Sequence, residues 1–139
     1  MGRALMIVVA LAFAGCAQMA SSPNGSGTTQ FKPVTGKSVI YIVRPKVGAS
    51  LGDTLYLNDD AQITTWVGTY YRWETEPGQH RITGFGPTSA SITMTTESGK
   101  IYFVLHKVNG NERAGAPNVF LQPLDEQSGQ ALVMLAQPI

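Results

Sequence analysis

The run Ser38-Val39-Ile40-Tyr41-Ile42-Val43 constrains the fold of this chain more than any other segment. It is β-branched and aromatic, so both alternating sets of side chains are apolar, and it stops at Arg44-Pro45. A strand of this kind has no face to leave in water and belongs between two layers. Ile101-Tyr102-Phe103-Val104-Leu105-His106-Lys107-Val108 has the same two-faced character.

The segments between them alternate. In Ser89-Ala90-Ser91-Ile92-Thr93-Met94-Thr95 the hydroxyls alternate with Ala90, Ile92 and Met94, giving one wet face and one packed face. Thr54-Leu55-Tyr56-Leu57 and the stretch from Ala61 to Val67 flank Asn58-Asp59-Asp60. Asn and Asp tolerate left-handed backbone angles, so this triplet is a hairpin turn. Thr69 to Glu74 ends at Glu76-Pro77-Gly78, His80 to Phe85 is broken by Gly86-Pro87, and Glu97-Ser98-Gly99-Lys100 turns the chain into the second two-faced strand. Beyond a Gly- and Asn-rich loop, Val119-Phe120-Leu121 is a last strand.

Two readings fit the tail. Asp125 caps a short helix with Ala131, Leu132 and Leu135 facing inward, or Ser128-Gly129 turns a hairpin into a strand from Gln130 to Leu135. The helix is preferred. Strands spaced in this way, turned by Gly and Pro, specify an all-β fold: a small antiparallel β-sandwich of about seven or eight strands. Residues 38–139 suffice for one such domain with its own core.

Upstream the chain changes character. Arg3, the apolar stretch from Ala4 to Ala14, and the small pair Ala14-Gly15 have the layout of an export signal over residues 1–15. The apolar part is shorter than the roughly 20 residues a spanning helix needs. Cys16 is the single cysteine, and Phe13-Ala14-Gly15-Cys16 resembles a lipobox, with Phe13 where Leu is usual. The resemblance implies lipidation at Cys16 and attachment to a membrane through N-terminal acyl chains, since two or more chains hold a protein stably where one does not. Ala17 is not the Asp that typically retains a lipoprotein at an inner membrane. The expected location is the cell envelope, on the outer membrane facing the periplasm. Residues 16–37, rich in Ser, Pro, Asn, Gly and Thr, form a tether with an end-to-end distance of about 25 Å.

Charge narrows the partners. Without Arg3 the ten Lys and Arg become nine, matching nine Asp and Glu, and no basic block occurs. A neutral exported domain of this composition is no nucleic-acid binder. One cysteine excludes intrachain disulfides and cysteine-based zinc sites.

The succession Ile40-Tyr41-Ile42-Val43-Arg44-Pro45, Leu55-Tyr56-Leu57-Asn58-Asp59, Gly68-Thr69-Tyr70-Tyr71, Glu76-Pro77-Gly78-Gln79-His80 and Gly99-Lys100-Ile101-Tyr102-Phe103 resembles an uncharacterised bacterial lipoprotein family carrying one domain of unknown function. Its middle part also resembles the PEGA type of surface β-domain. The resemblance covers roughly Lys37 to the C-terminus and implies an exported β-sandwich with no assigned activity, so it supplies no catalytic residue.

Chemistry must come from individual residues. His80 and His106 have no His, Cys or Asp at ligand spacing, so no metal or other cofactor is expected. Glu74 and Glu76 point the same way on an extended segment, but Arg72 shares that face and makes a solvated charge ladder. There is no Gly-x-Ser-x-Gly elbow, and Gly84-Phe85-Gly86 runs into Pro87 instead of a helix. No enzyme activity is expected. Arg44, just before Pro45, is read as a strand-end charge.

The candidate interaction surface is Trp66, Tyr70, Tyr71, Arg72 and Trp73, because aromatics and Arg dominate interface energetics. Alternation sends Tyr71 and Trp73 to one face and Tyr70 and Arg72 to the other. The expected role is a non-catalytic interaction or structural module that holds another envelope protein. The alternative is a periplasmic ligand-binding module for a glycan, a peptidoglycan fragment or another small molecule.

Overall fold

The computed structural model describes residues 31–85, 90–110 and 118–139. Cys16, the signal segment and most of the tether lie outside the described residues. Among the described residues nine strands and one helix follow in order: β1 Ser38–Arg44, β2 Asp53–Leu57, β3 Ala61–Thr65, β4 Thr69–Thr75, β5 Gly78–Gly84, β6 Ser91–Thr96, β7 Ile101–Asn109, β8 Asn118–Leu124, α1 Glu126–Met134 and β9 Gln137–Pro138. They form two sheets, of order β8-β7-β1-β4-β9 and β3-β2-β5-β6. The fold is an all-β sandwich. Among the described residues no helix is long and apolar enough to cross a membrane.

The first sheet is mixed where a wholly antiparallel one was expected. β1 runs antiparallel to β4 but parallel to β7, and the short β9 lies parallel to β4. Parallel neighbours need a crossover, and the chain between β1 and β7 supplies it, passing through all four strands of the second sheet and through β4 of the first. No hairpin signal in the sequence reports such a long-range pairing.

β1 is buried along its entire length, as its composition requires. Ile40 and Ile42 face the second sheet and join Leu55, Leu57, Ile82 and Val104 in the inter-sheet core. Val39, Tyr41 and Val43 face the other way, into a second cluster with Phe103 and Val133. α1 covers that outer face. Asp125 caps it, its carboxylate accepting from the Ser128 backbone N–H at 2.9 Å and from the Ser128 hydroxyl at 2.7 Å. The expected helix is therefore present, but its inward residues are Gly129 and Val133, with Leu132 half-buried. Ala131 and Leu135 are exposed, Leu135 at 73 %, because the helix docks through Gly129 against Phe103. A Cβ at Gly129 would lie 2.1 Å from Phe103 Cγ.

The folded unit also begins earlier than Ser38. Phe31 sits edge-on to Tyr41 and Phe103, with ring centroids 5.4 and 5.6 Å apart, and Val34 packs in the same cluster. Residues 31–37 are therefore part of the domain.

Among the described residues the second sheet has one covered face. Leu55, Leu57, His80 and Ile82 point into the sandwich, while Ser91, Thr93 and Thr95 are exposed and Ile92 and Met94 half-buried, as their alternation specifies. The turn after β2 has φ of 53° at Asn58 and 61° at Asp59, the paired left-handed geometry of a tight hairpin.

Candidate interaction site

One end of the sandwich is organised around Arg44. Inward positions on β1 are Ile40, Ile42 and then Arg44, so the strand delivers a guanidinium to the inter-sheet space, where it is fully buried. Pro45 ends the strand there, and the chain loops back to Asp53. Arg44 holds that loop: its Nη2 donates to the carbonyls of Ala49 and, at 2.8 Å, Leu51, and its Nη1 to the carbonyl of Thr65 at 3.0 Å. Burial pulls the Arg44 pKa below its ordinary value, and the negative charge of Asp53 works against that shift. Among the described residues its Nε is the one buried side-chain nitrogen or oxygen without a partner.

Beside it lies a polar chain drawn from three strands. Asp53 opens β2, Thr65 closes β3, and His106 stands two residues beyond Val104 on the inward side of β7. His106 Nε2 is 2.9 Å from Asp53 Oδ2, and His106 Nδ1 is 2.9 Å from Thr65 Oγ1. Thr65 Oγ1 also lies 3.4 Å from the Asp53 carbonyl. With the imidazole proton on Nε2, facing the carboxylate, Thr65 donates to Nδ1 and every group in the line has a partner. The series hydroxyl, imidazole, carboxylate is that of a hydrolytic triad. Here Thr65 and His106 are completely buried, so the hydroxyl has no approach for a substrate, and the cluster acts as an internal brace.

What the brace supports is an exposed apolar tip. Trp66 follows Thr65 directly and is 51 % exposed; Leu51, whose carbonyl Arg44 grips, is 54 % exposed, and Val47 in the same loop 58 %. The Trp66 ring lies over Gly52, where a Cβ would come within 2.9 Å of the indole Cη2. The turn behind Trp66 is also fixed. Thr69 Oγ1 accepts from the Trp66 N–H at 3.0 Å and donates to its carbonyl at 2.8 Å. Gly68 has φ of 74°, and a side chain there would run into Lys46. Trp66 is thus an exposed aromatic ring held in a fixed turn.

The five residues proposed from sequence as one surface separate into three places. Tyr71 and Trp73 face the second sheet and pack on the inter-sheet core, Trp73 meeting His80 edge-on at 5.1 Å. Tyr70 lies on the outer face of the first sheet, 5.8 Å from Tyr41. Arg72 shares that face and is exposed, paired with Glu74 at 3.0 Å. Burial works against its charge, but hydrogen bonds to Glu74 and the Tyr41 hydroxyl more than offset this and raise its pKa. Trp66 alone stays at the tip. Cys16 lies outside the described residues.

The carboxylates do not form a pair either. Glu74 is engaged with Arg72, and Glu76 with Lys37. His80 is a turn fastener whose Nε2 meets the Glu76 carbonyl at 2.8 Å and whose Nδ1 meets the Asn58 amide nitrogen at 3.1 Å. Among the described residues no three His, Cys, Asp or Glu side chains gather as a metal site would require.

Sequence reasoning missed the Arg44 brace. Its one visible signal is parity: a charged residue in step with Ile40 and Ile42 on a strand buried on both faces needs an interior partner. No protein-family model matches the chain, and no curated protein matches it.

Proposed function

We propose that this chain is an exported lipoprotein of the cell envelope, anchored through acyl chains on Cys16 to the outer membrane and facing the periplasm, which acts as a non-catalytic interaction module. Its partner is another envelope protein, gripped at the tip formed by Trp66, Leu51 and Val47. The observation that carries the reading is the internal brace: a buried guanidinium, carboxylate, imidazole and hydroxyl spend their hydrogen bonds fixing the loop and turn that present three exposed apolar side chains. Fixing an aromatic in place before a partner arrives lowers the ordering cost of association. The signal layout at residues 1–16 and the small residues before Cys16 support the anchor.

Two measurements test the two halves. Cys16→Ser releases the protein from the membrane fraction, and intact mass of the native product shows added acyl weight on residue 16; unchanged fractionation or an unmodified N-terminus refutes the anchor. A photo-crosslinking amino acid at position 66 in living cells gives a discrete protein adduct that the same residue at position 93 does not give, and Leu51→Ala diminishes it. The same adducts from both positions, or none from 66, refute the tip.

A further inference from the structure

The outer face of the second sheet carries a pattern that neither the core nor the tip explains. Strand register places Gln62 on β3 opposite Tyr56 on β2, Tyr56 opposite Thr83 on β5, and Thr83 opposite Ser91 on β6. These four side chains form one polar row across all four strands. Thr83 and Ser91 are joined by a hydrogen bond of 2.9 Å. Phe85 continues β5 on the same side, its backbone N–H donating to the carbonyl of Thr54. Its ring is 65 % exposed and meets Tyr56 with centroids 6.1 Å apart.

A face that merely needs wetting is served by Lys and Glu, with both signs interspersed. This one is neutral. Among the strand residues on it, Arg81 alone carries a charge, and that charge is paired with Asp59. Amide and hydroxyl groups beside one exposed and one half-buried aromatic ring are the complement of a sugar chain: the rings take the C–H face of a pyranose, and the polar row exchanges hydrogen bonds with its hydroxyls. Spacing agrees as well. Adjacent strands lie about 4.8 Å apart, close to the advance per sugar along an extended β-linked polysaccharide, so the row presents one polar side chain to each successive sugar. Neutrality disfavours polyanions.

We infer that the outer face of the β3-β2-β5-β6 sheet binds an extended, β-linked polysaccharide, with Phe85 and Tyr56 as the stacking platform and Gln62, Thr83 and Ser91 as the hydrogen-bonding row. The row and platform do not include Trp66, and the assignment stands whether or not the tip holds a protein.

Co-sedimentation of the full-length protein, kept in detergent micelles, with insoluble cellulose, chitin and purified peptidoglycan sacculi tests the inference. Binding to at least one of the three is expected, weakened about tenfold by Phe85→Ala, the loss of one aromatic contact. The double variant Gln62→Ala/Ser91→Ala, which alters only exposed side chains, weakens it too and carries the test if Phe85→Ala fails to fold. Phe120→Ala, on the other sheet, leaves it unchanged. Absence of binding to all three polysaccharides, or variants of the row and platform that bind as the natural chain does, would overturn the assignment.

Discussion

The two sheets of this sandwich use opposite solutions to the same problem. The β8-β7-β1-β4-β9 sheet hides both faces of its central strands, one against its partner sheet and one beneath α1, Phe31 and Val34. The β3-β2-β5-β6 sheet hides one face and leaves the other to hydroxyls, amides and two aromatic rings. Each sheet's sequence follows from this: continuous apolar runs in β1 and β7, strict alternation in β6. Burial on both faces is therefore concentrated in the first sheet, and the second carries most of the open strand surface. Arg44 lies where the two meet, tying the end of β1 to the loop leading into β2.

The most damaging way to break this division is at that junction. Arg44→Ala strands the carbonyls of Thr65, Ala49 and Leu51 and leaves Asp53 facing an uncompensated interior, so a loss of about 3 kcal/mol or more in denaturant unfolding is expected. A loss below 1 kcal/mol would show that the brace contributes little. Next, the outer faces are compared directly. Gly129→Ala pushes α1 away from Phe103 and costs about 1–3 kcal/mol, whereas Thr93→Ala on the open sheet changes stability by no more than about 0.5 kcal/mol. Equal effects would erase the contrast between the sheets.

The smallest effect is pH-dependent and concerns the helical cover. The Ser128 backbone N–H, followed by its hydroxyl, holds the Asp125 carboxyl below its ordinary pKa. A depressed folded-state pKa gives stability that is fully present above the unfolded value, about 3.9, and is lost as pH falls through the lower folded value. Asp125→Ala is therefore less stable than the natural chain at neutral pH, and the two converge in strong acid. A difference that persists unchanged at the acid end would assign the effect to something other than the cap.

Local chemistry was legible wherever it was decided within a few residues. Asn58-Asp59 turned the hairpin, the hydroxyl alternation around Thr93 fixed one wet face, and Asp125 capped the helix, the preferred of two readings of the tail. Features set by register between distant strands were not legible. Positions 44, 53, 65 and 106 meet only because β1, β2, β3 and β7 converge at one end. Parallel pairing of β1 with β7 leaves no mark on either strand. The aromatic cluster failed as a single site for the same reason: alternation separated Tyr71 and Trp73 from Tyr70 and Arg72, but only the placement of α1 and Phe31 told which of those faces would be roofed.

Phe31 gives the domain a mechanical character. Tension applied through the residues before it pulls first on a ring seated against Tyr41 and Phe103, and only afterwards on β1. That strand is laced to β4 on one side and β7 on the other, so a load along its axis is carried in shear by two rows of hydrogen bonds at once. The seated ring then works as a strain relief, yielding under a modest tug before the rest of the domain is stressed.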